Sequence, residues 1–400
     1  MNEKFFRRKL KNGMTVLMEK RDLPVVAASI SNQFGAVFEK SGEKGIAHVI
    51  EHLLFTGTKK RSHEEISGEI EKKGGILNAF TDHEITSYWF KLPSEHLFAG
   101  LDVLADMLNN TLFKEEKFEK EKRVILEEIK LYHDDPQKDV FEEIETNLYE
   151  KPFGELIIGN AKTVSSLKRD FVIDYFNEHY LPENYIVTIV GDADFEKVCK
   201  FFEKNFKKKG GKMELQAVKM KNNESIEKRP GIDQANYILG MHAPKPTEKD
   251  YFALELLNSY LADGMSSKLF LEIREKRGLA YSVRGYIKPG KNYSYYLIYA
   301  GIKKEAIGEI KEIILKEFEK ISEMKEKDLE EARQSLIGYK RLAAEDSTNV
   351  MTSLLYWETF GGAEKYYDYE NNLKKVKLAD IKALAKKLTK SYSIAAIVPK

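Results

Sequence analysis

A single cysteine, Cys199, in 400 residues rules out an internal disulfide framework and any cysteine-rich metal site. A lone thiol in such a chain reads as a small hydrophobe rather than a nucleophile. An excess of one charge is also missing: Lys+Arg 65 against Asp+Glu 64 leaves a net charge of +1. With no basic field to hold a polyanion, neither nucleic acid nor an anionic membrane surface is expected as a partner. Long apolar runs are absent; stretches such as Tyr185 to Val190 last a few residues, so no membrane span is expected. The opening MNEKFFRRKLKNG is polar and has no signal-peptide core, which points to a cytoplasmic protein. Against these absences stand 42% hydrophobic and 11% aromatic residues, too apolar a composition for general disorder. The length suits roughly two to three domains.

Local patterning alternates between strand and helix. Asn12-Gly13 between apolar flanks reads as a hairpin turn over Leu10 to Leu17. Val25 to Phe38 reads as a strand, Gly45 to Phe55 as a helix, and Ser62-His63-Glu64-Glu65 as a capping box opening another. Gly74-Gly75 ends that helix; Ile76 to Leu92 is extended, and Glu95 to Tyr149 is helical. A polar stretch broken by glycine, Lys207 to Pro230, is the best linker candidate. Its two sides look like copies. Val164, Val172, Phe176 and Tyr180 recur as Val376, Leu384, Leu388 and Tyr392 at one offset, each set leading into a β-branched strand. Ile70 to Gly74 matches Arg274 to Gly278 at a similar one. The pattern predicts an α+β chain of two tandem homologous domains, 1–208 and 231–400, joined by a linker at 209–230. Each is expected to be a mostly antiparallel sheet with helices on one face.

Histidine is scarce, yet two of the eight fall in His48-Val49-Ile50-Glu51-His52. At 3.6 residues per turn, positions 48, 51 and 52 share a helix face. Two imidazoles four apart can grip one metal ion, and a carboxylate beside them can act on metal-activated water. The order H-x-x-E-H is the reverse of the commoner H-E-x-x-H zinc signature. Chance alone gives the pattern in roughly one such sequence in forty. Its neighbours Ile46, Val49, Ile50, Leu53 and Leu54 mark a buried helix, where two histidines and a glutamate without partners are costly. A catalytic zinc takes three protein ligands. His63, His83, His96, His133, His179 and His242 stand alone and read as surface residues, so a carboxylate on another helix is the expected third. Phe118 to Tyr132 offers Glu121 and Glu128 two turns apart on one face.

The stretch from His48 to Thr58, HVIEHLLFTGT, resembles the zinc motif of the pitrilysin/insulinase metallopeptidases. The resemblance extends to LNAFTDHEITSY from Leu77, to VILEEI from Val124, and to LFLEIREKRGLAYS from Leu269. It thus covers both halves of the chain in order. The resemblance implies one zinc ion per chain held by His48, His52 and Glu128, with Glu127 the adjacent competitor to Glu128. Glu51 takes the place of the general base and Glu121 that of a supporting glutamate. Arg274 and Tyr281 fill the places of the family's arginine and tyrosine, with Arg277 the nearest rival. The strand carrying Leu77, Asn78, Ala79 and Phe80 is expected to bind extended peptide by edge addition. The implied activity is zinc-dependent endopeptidase action on extended peptides or unfolded polypeptides. It would take place inside a chamber formed by a homodimer, with Arg274 and Tyr281 of one chain completing the zinc site of the other. The competing expectation is a non-catalytic structural or chaperone-like relative that binds unfolded chains.

Overall fold

The protein is described by a computed structural model over residues 4–207 and 215–400. The first half of the chain forms strands β1 (Phe5–Lys9), β2 (Thr15–Lys20), β3 (Val25–Asn32), β4 (Ile76–Thr81), β5 (Thr86–Pro93) and β6 (Tyr185–Gly191). Among them lie helices α1 (Ile46–Leu54), α2 (His63–Glu71), α3 (Leu97–Asn110), α4 (Glu115–Asp134) and α5 (Pro136–Leu148). Helices α6 (Ala161–Ser166), α7 (Arg169–His179) and α8 (Phe195–Asn205) follow. The second half forms β7 (Glu224–Arg229), β8 (Ala235–His242), β9 (Ala280–Pro289), β10 (Ser294–Ile302) and β11 (Ser393–Pro399). Its helices are α9 (Tyr251–Leu261), α10 (Ile310–Glu319), α11 (Glu326–Ala343), α12 (Ser347–Thr359), α13 (Tyr369–Lys375) and α14 (Leu378–Leu388). A π-helical segment, Phe270–Lys276, precedes β9.

Two sheets result, ordered β1-β2-β6-β3-β5-β4 and β7-β11-β8-β10-β9. Leaving out β1, the orders are the same, and each sheet has a single parallel pairing at the equivalent place, β2 with β6 and β7 with β11. The α+β duplication expected from the spacing is therefore present in the topology. The expected linker holds a strand: Glu224–Arg229 is β7, while residues 208–214 lie outside the described residues. Four of its six residues, Glu224, Glu227, Lys228 and Arg229, are charged, as suits an exposed edge, and this hides it from a hydrophobicity pattern.

The two compact units exchange helices. One comprises residues 1–129, 156–216 and 343–367; the other comprises 130–155, 217–342 and 368–400. Helix α12 thus packs on β6 and β3 of the first unit, and α5 on β11 and β8 of the second. This departs from the expectation of helices on one face, and the strands show why. Along β6, Val187 and Ile189 join the main core, whereas Ile186 and Val190 face Val350, Met351, Leu354 and Leu355. Successive side chains of a strand point to opposite faces, so an unbroken apolar run needs cover on both. In the second unit Gly240 lets α5 lie close to β8: an added Cβ would meet Ile144 at 2.9 Å.

Candidate metal centre

Helix α1 is placed by burial and by its first turn. Ile46, Ala47, Val49, Ile50, Leu53 and Leu54 are wholly buried in the first unit's core. Gly45 precedes the helix at φ 92°, and an added Cβ there would stand 2.7 Å from the Ile158 carbonyl oxygen, so only glycine fits. The buried Glu39 carboxylate accepts from the Gly45 and Ala47 backbone N–H groups at 3.1 and 2.8 Å. A carboxylate on the unpaired N–H groups of a helix start is favoured by both hydrogen bonding and the helix dipole. The equally buried Lys44 ammonium lies 3.9 Å from it and donates to the Ala36 carbonyl at 2.7 Å.

With the apolar residues turned inward, the remaining stripe of α1 is His48, Glu51 and His52. Helix α4 lies opposite, anchored by buried Phe118 and Ile125 and by half-buried Leu126 and Ile129. Its carboxylates Glu121 and Glu128, seven residues apart, are thereby aimed at the histidines. Glu128 Oε2 stands 3.7 Å from His48 Nε2 and 3.6 Å from His52 Nε2. Among the described residues, His48, His52 and Glu128 are the one set of three such donors lying within 4.8 Å of one another. Glu121 Oε2 is 3.2 Å from His52 Nδ1, which orients that ring with Nε2 toward Glu128. Tetrahedral zinc with bonds of about 2.0–2.2 Å sets its ligand atoms about 3.4 Å apart, close to the separations found. Two imidazoles and one carboxylate are also a donor set that catalytic zinc takes, so the residues fit the metal.

The electrostatics agree with a centre built for a cation. Burial, helped by the nearby His52, pushes His48 down to about 4 against the pull of Glu128, so this ring is held neutral as a ligand must be. Burial also opposes a charge on His52, but the neighbouring Glu121 and Glu128 push it up to about 9. Between the two carboxylates His52 therefore holds a proton, which a metal ion bound at Nε2 would displace. Burial raises the Glu51 carboxyl above its ordinary value, and a hydrogen bond from Thr81 Oγ1 to Glu51 Oε2 at 2.5 Å opposes this.

Thr81 ends β4, the outermost strand of the first sheet, whose other edge carries no strand partner among the described residues. Leu77, Ala79 and Phe80 are half-buried and Asn78 is exposed, its side chain accepting from the Ala79 N–H. Arg274 and Tyr281 are carried by the second unit. Arg274 Nη1 donates to the Tyr281 carbonyl at 3.1 Å and its guanidinium lies over Phe270, while the Tyr281 side chain is 55% exposed. Arg277 is engaged elsewhere, with Glu272 at 2.9 Å. Glu127 is exposed on α4 and is not part of the trio. Reasoning from the sequence missed Glu39 and gave Thr81 no role. It also placed His83 at the surface, where the structure buries it to 3% exposure between the two strands of the β4–β5 hairpin. Cys199 is buried in the first core and burial raises its thiol, as befits a hydrophobe.

Residues 15–161 match the family described as insulinase, peptidase family M16, and residues 166–336 match the domain described as the peptidase M16 inactive domain. An uncharacterized zinc protease of Rickettsia bellii is 31% identical over 100% of this chain and 98% of its own length. An uncharacterized zinc protease of Bacillus subtilis is 30% identical over 97% of each chain. Among solved structures, a protease from Helicobacter pylori superposes with a TM-score of 0.92 at 24% identity, covering 99% of both chains. The similarity spans both halves of the chain and includes the helix that carries His48, Glu51 and His52, and on these grounds the protein belongs to the insulinase family of peptidases, M16.

Proposed function

We propose that the protein is a zinc-dependent metalloendopeptidase that cuts extended peptides or unfolded polypeptides. The observation that carries this reading is the convergence of His48, His52 and Glu128 with Glu51 on the same turn of α1. Zinc, when bound by the trio, supplies Lewis acidity and lowers the pKa of a water molecule toward 7. Glu51 is the proton carrier: its Oε2 is held by Thr81, and Oε1 takes the proton from the attacking water and passes it to the leaving amine. Glu121 holds His52 in the tautomer that presents Nε2. The open edge of β4 receives the substrate as an added strand, with Leu77, Asn78, Ala79 and Phe80 beside it. Recognition through backbone favours extended chains over folded ones.

Metal analysis and cleavage of a quenched fluorescent peptide test this together. The unaltered chain should hold about one zinc and lose cleavage on chelation. Glu51→Gln should keep the zinc and lose about 10²- to 10⁴-fold in kcat. Glu128→Gln should lose both. Zinc-free wild-type protein, or full activity in Glu51→Gln, would sink the proposal.

The exposed Arg274–Tyr281 pair belongs to the second unit, and its proposed task is to hold the substrate backbone and donate to the developing oxyanion. In the proposed assembly, a homodimer, each chain supplies this pair to its partner's zinc site. Glu51→Gln and Tyr281→Phe chains, each impaired alone, should then regain activity when unfolded and refolded as a mixture. No recovery above the two separate proteins rules out completion in trans.

A further inference from the structure

The side chains of Glu39 and Lys44 are wholly buried. Taking two charges out of water is expensive, and an uncharged pair of similar volume often serves stability as well. What these charges secure is a set of bonds between separate elements. Glu39 accepts from the start of α1, and Lys44 donates back to the Ala36 carbonyl. Residues 35–39 form a tight turn, with the Glu39 N–H donating to the Ala36 carbonyl at 3.3 Å. The backbone of this turn is also joined to the β4–β5 hairpin: the Ala36 N–H donates to the Asp82 carbonyl at 3.1 Å and the Val37 N–H to the His83 carbonyl at 2.8 Å. Asp82, next to Thr81 at the end of β4, is itself held. Its carboxylate accepts from the Tyr356 hydroxyl at 2.6 Å and from the His83 N–H at 2.7 Å. The bond from Thr81 to Glu51 closes a ring. One circuit thus runs from Glu51 through Thr81, Asp82, Ala36 and Glu39 to Ala47, and along α1 back to Glu51.

We propose that Glu39 and Lys44 are positioning residues: their buried pair fixes the helix of the metal centre at one distance from the strand that receives the substrate. The inference rests on the peptidase reading and deepens it by naming what keeps the attacking group and the substrate in register. His48, Glu51 and His52 ride on α1, and the bound peptide rides on β4. A local cap would satisfy the same N–H groups without reaching β4, and Ser, Thr, Asp or Asn just before the helix supplies one. Here that position is Gly45, and the acceptor comes from six residues upstream, on a segment bonded to the β4–β5 turn. Apolar packing is non-directional and resists sliding of α1 along its axis less than directed bonds do. The circuit supplies that restraint.

The test variant is Glu39→Gln combined with Lys44→Met, which leaves no charge buried alone. With zinc in excess it should lower kcat by about 10- to 100-fold, the scale on which a misplacement of about 1 Å acts, and leave KM within about twofold. Thr81→Val opens the same circuit at its other end, so its loss in kcat should not multiply with that of the combined variant. Two unconnected structural lesions would multiply. Hydrogen exchange gives a reading independent of activity. Amides at a helix start ordinarily exchange fast, but those of Gly45 and Ala47 should exchange as slowly as β5 in the wild type. They should speed up in the combined variant while β5 stays unchanged; if that variant does not fold, the wild-type rates decide. Fast wild-type exchange, an unchanged kcat, or losses that multiply overturn the positioning role. A wild type that holds no zinc and cleaves nothing overturns the peptidase reading, and the exchange rates still decide whether the pair fixes α1.

Discussion

At the scale of single residues, the centre depends on groups that touch no ligand atom directly. Glu121 meets His52 at the ring nitrogen opposite the one facing Glu128. Removing its charge leaves the trio intact but frees the ring to turn and lowers its basicity. Glu121→Gln is therefore expected to weaken zinc affinity by about 10- to 100-fold, read by competition with a chelating dye. His48 and His52 were legible as a pair because a spacing of four sets them on one helix face, and Glu121 with Glu128 because seven residues make two turns; the choice of Glu128 as the third member came from the resemblance and not from spacing. Thr81 and Glu39 were not legible, since each meets its partner across a turn or between elements. No periodicity links Thr81 to Glu51, 30 residues away. His83 was misread because a loop of polar residues looks exposed until a neighbouring element covers it.

At the scale of elements, the duplication left an informative asymmetry. Glu255 on α9 stands at the same offset from Glu51 as Arg274–Gly278 does from Ile70–Gly74, while Phe252 and Leu256 occupy the positions matching His48 and His52. The copy thus keeps the carboxylate and has apolar residues in place of both histidines. Burial pushes Glu255 up to about 7 from an ordinary 4.5, against hydrogen bonds from Tyr369 and Tyr251. The folded protein then holds this proton more tightly than the unfolded chain. Its contribution is full at low pH and is lost as pH rises from about 4.5 through about 7, a difference of about 3 kcal/mol. Glu255→Gln should flatten the fall in stability between pH 5 and 8, measured by denaturant unfolding at each pH, and gain relative to wild type at pH 8. An unchanged slope means that the group ionises without cost. The hairpin turn at Asn12-Gly13, β3, the extended stretch holding β4 and β5, β6, β11 and the helices of the first half followed from alternation and capping, including the Ser62–Glu65 box seen in place at α2. The strand β7 did not, because an edge strand of charged residues carries no apolar signal.

At the scale of the molecule, each unit is finished by a helix from the other half of the sequence. This was not legible from patterning, because α5 and α12 are amphipathic helices whose spacing cannot say which sheet they cover. Residues 1–208 produced alone should lack the cover over Leu17, Ala27, Ile186 and Val190. That fragment is expected to bind ANS and aggregate, and fusion of residues 343–367 to its end should suppress both. A soluble, cooperatively unfolding 1–208 fragment would show the second face of the sheet to be dispensable.

The same reciprocal exchange sets a timetable for synthesis. A ribosome delivers β6 long before α12, with a delay on the order of ten seconds at ordinary elongation speeds. During that interval one side of the nascent sheet has only water against it, so the first half waits for nearly the last of the chain before it can close. Trigger-type holding factors on the growing polypeptide would meet this surface at every round of translation, and premature termination after β6 would release a sticky product rather than a working half-enzyme.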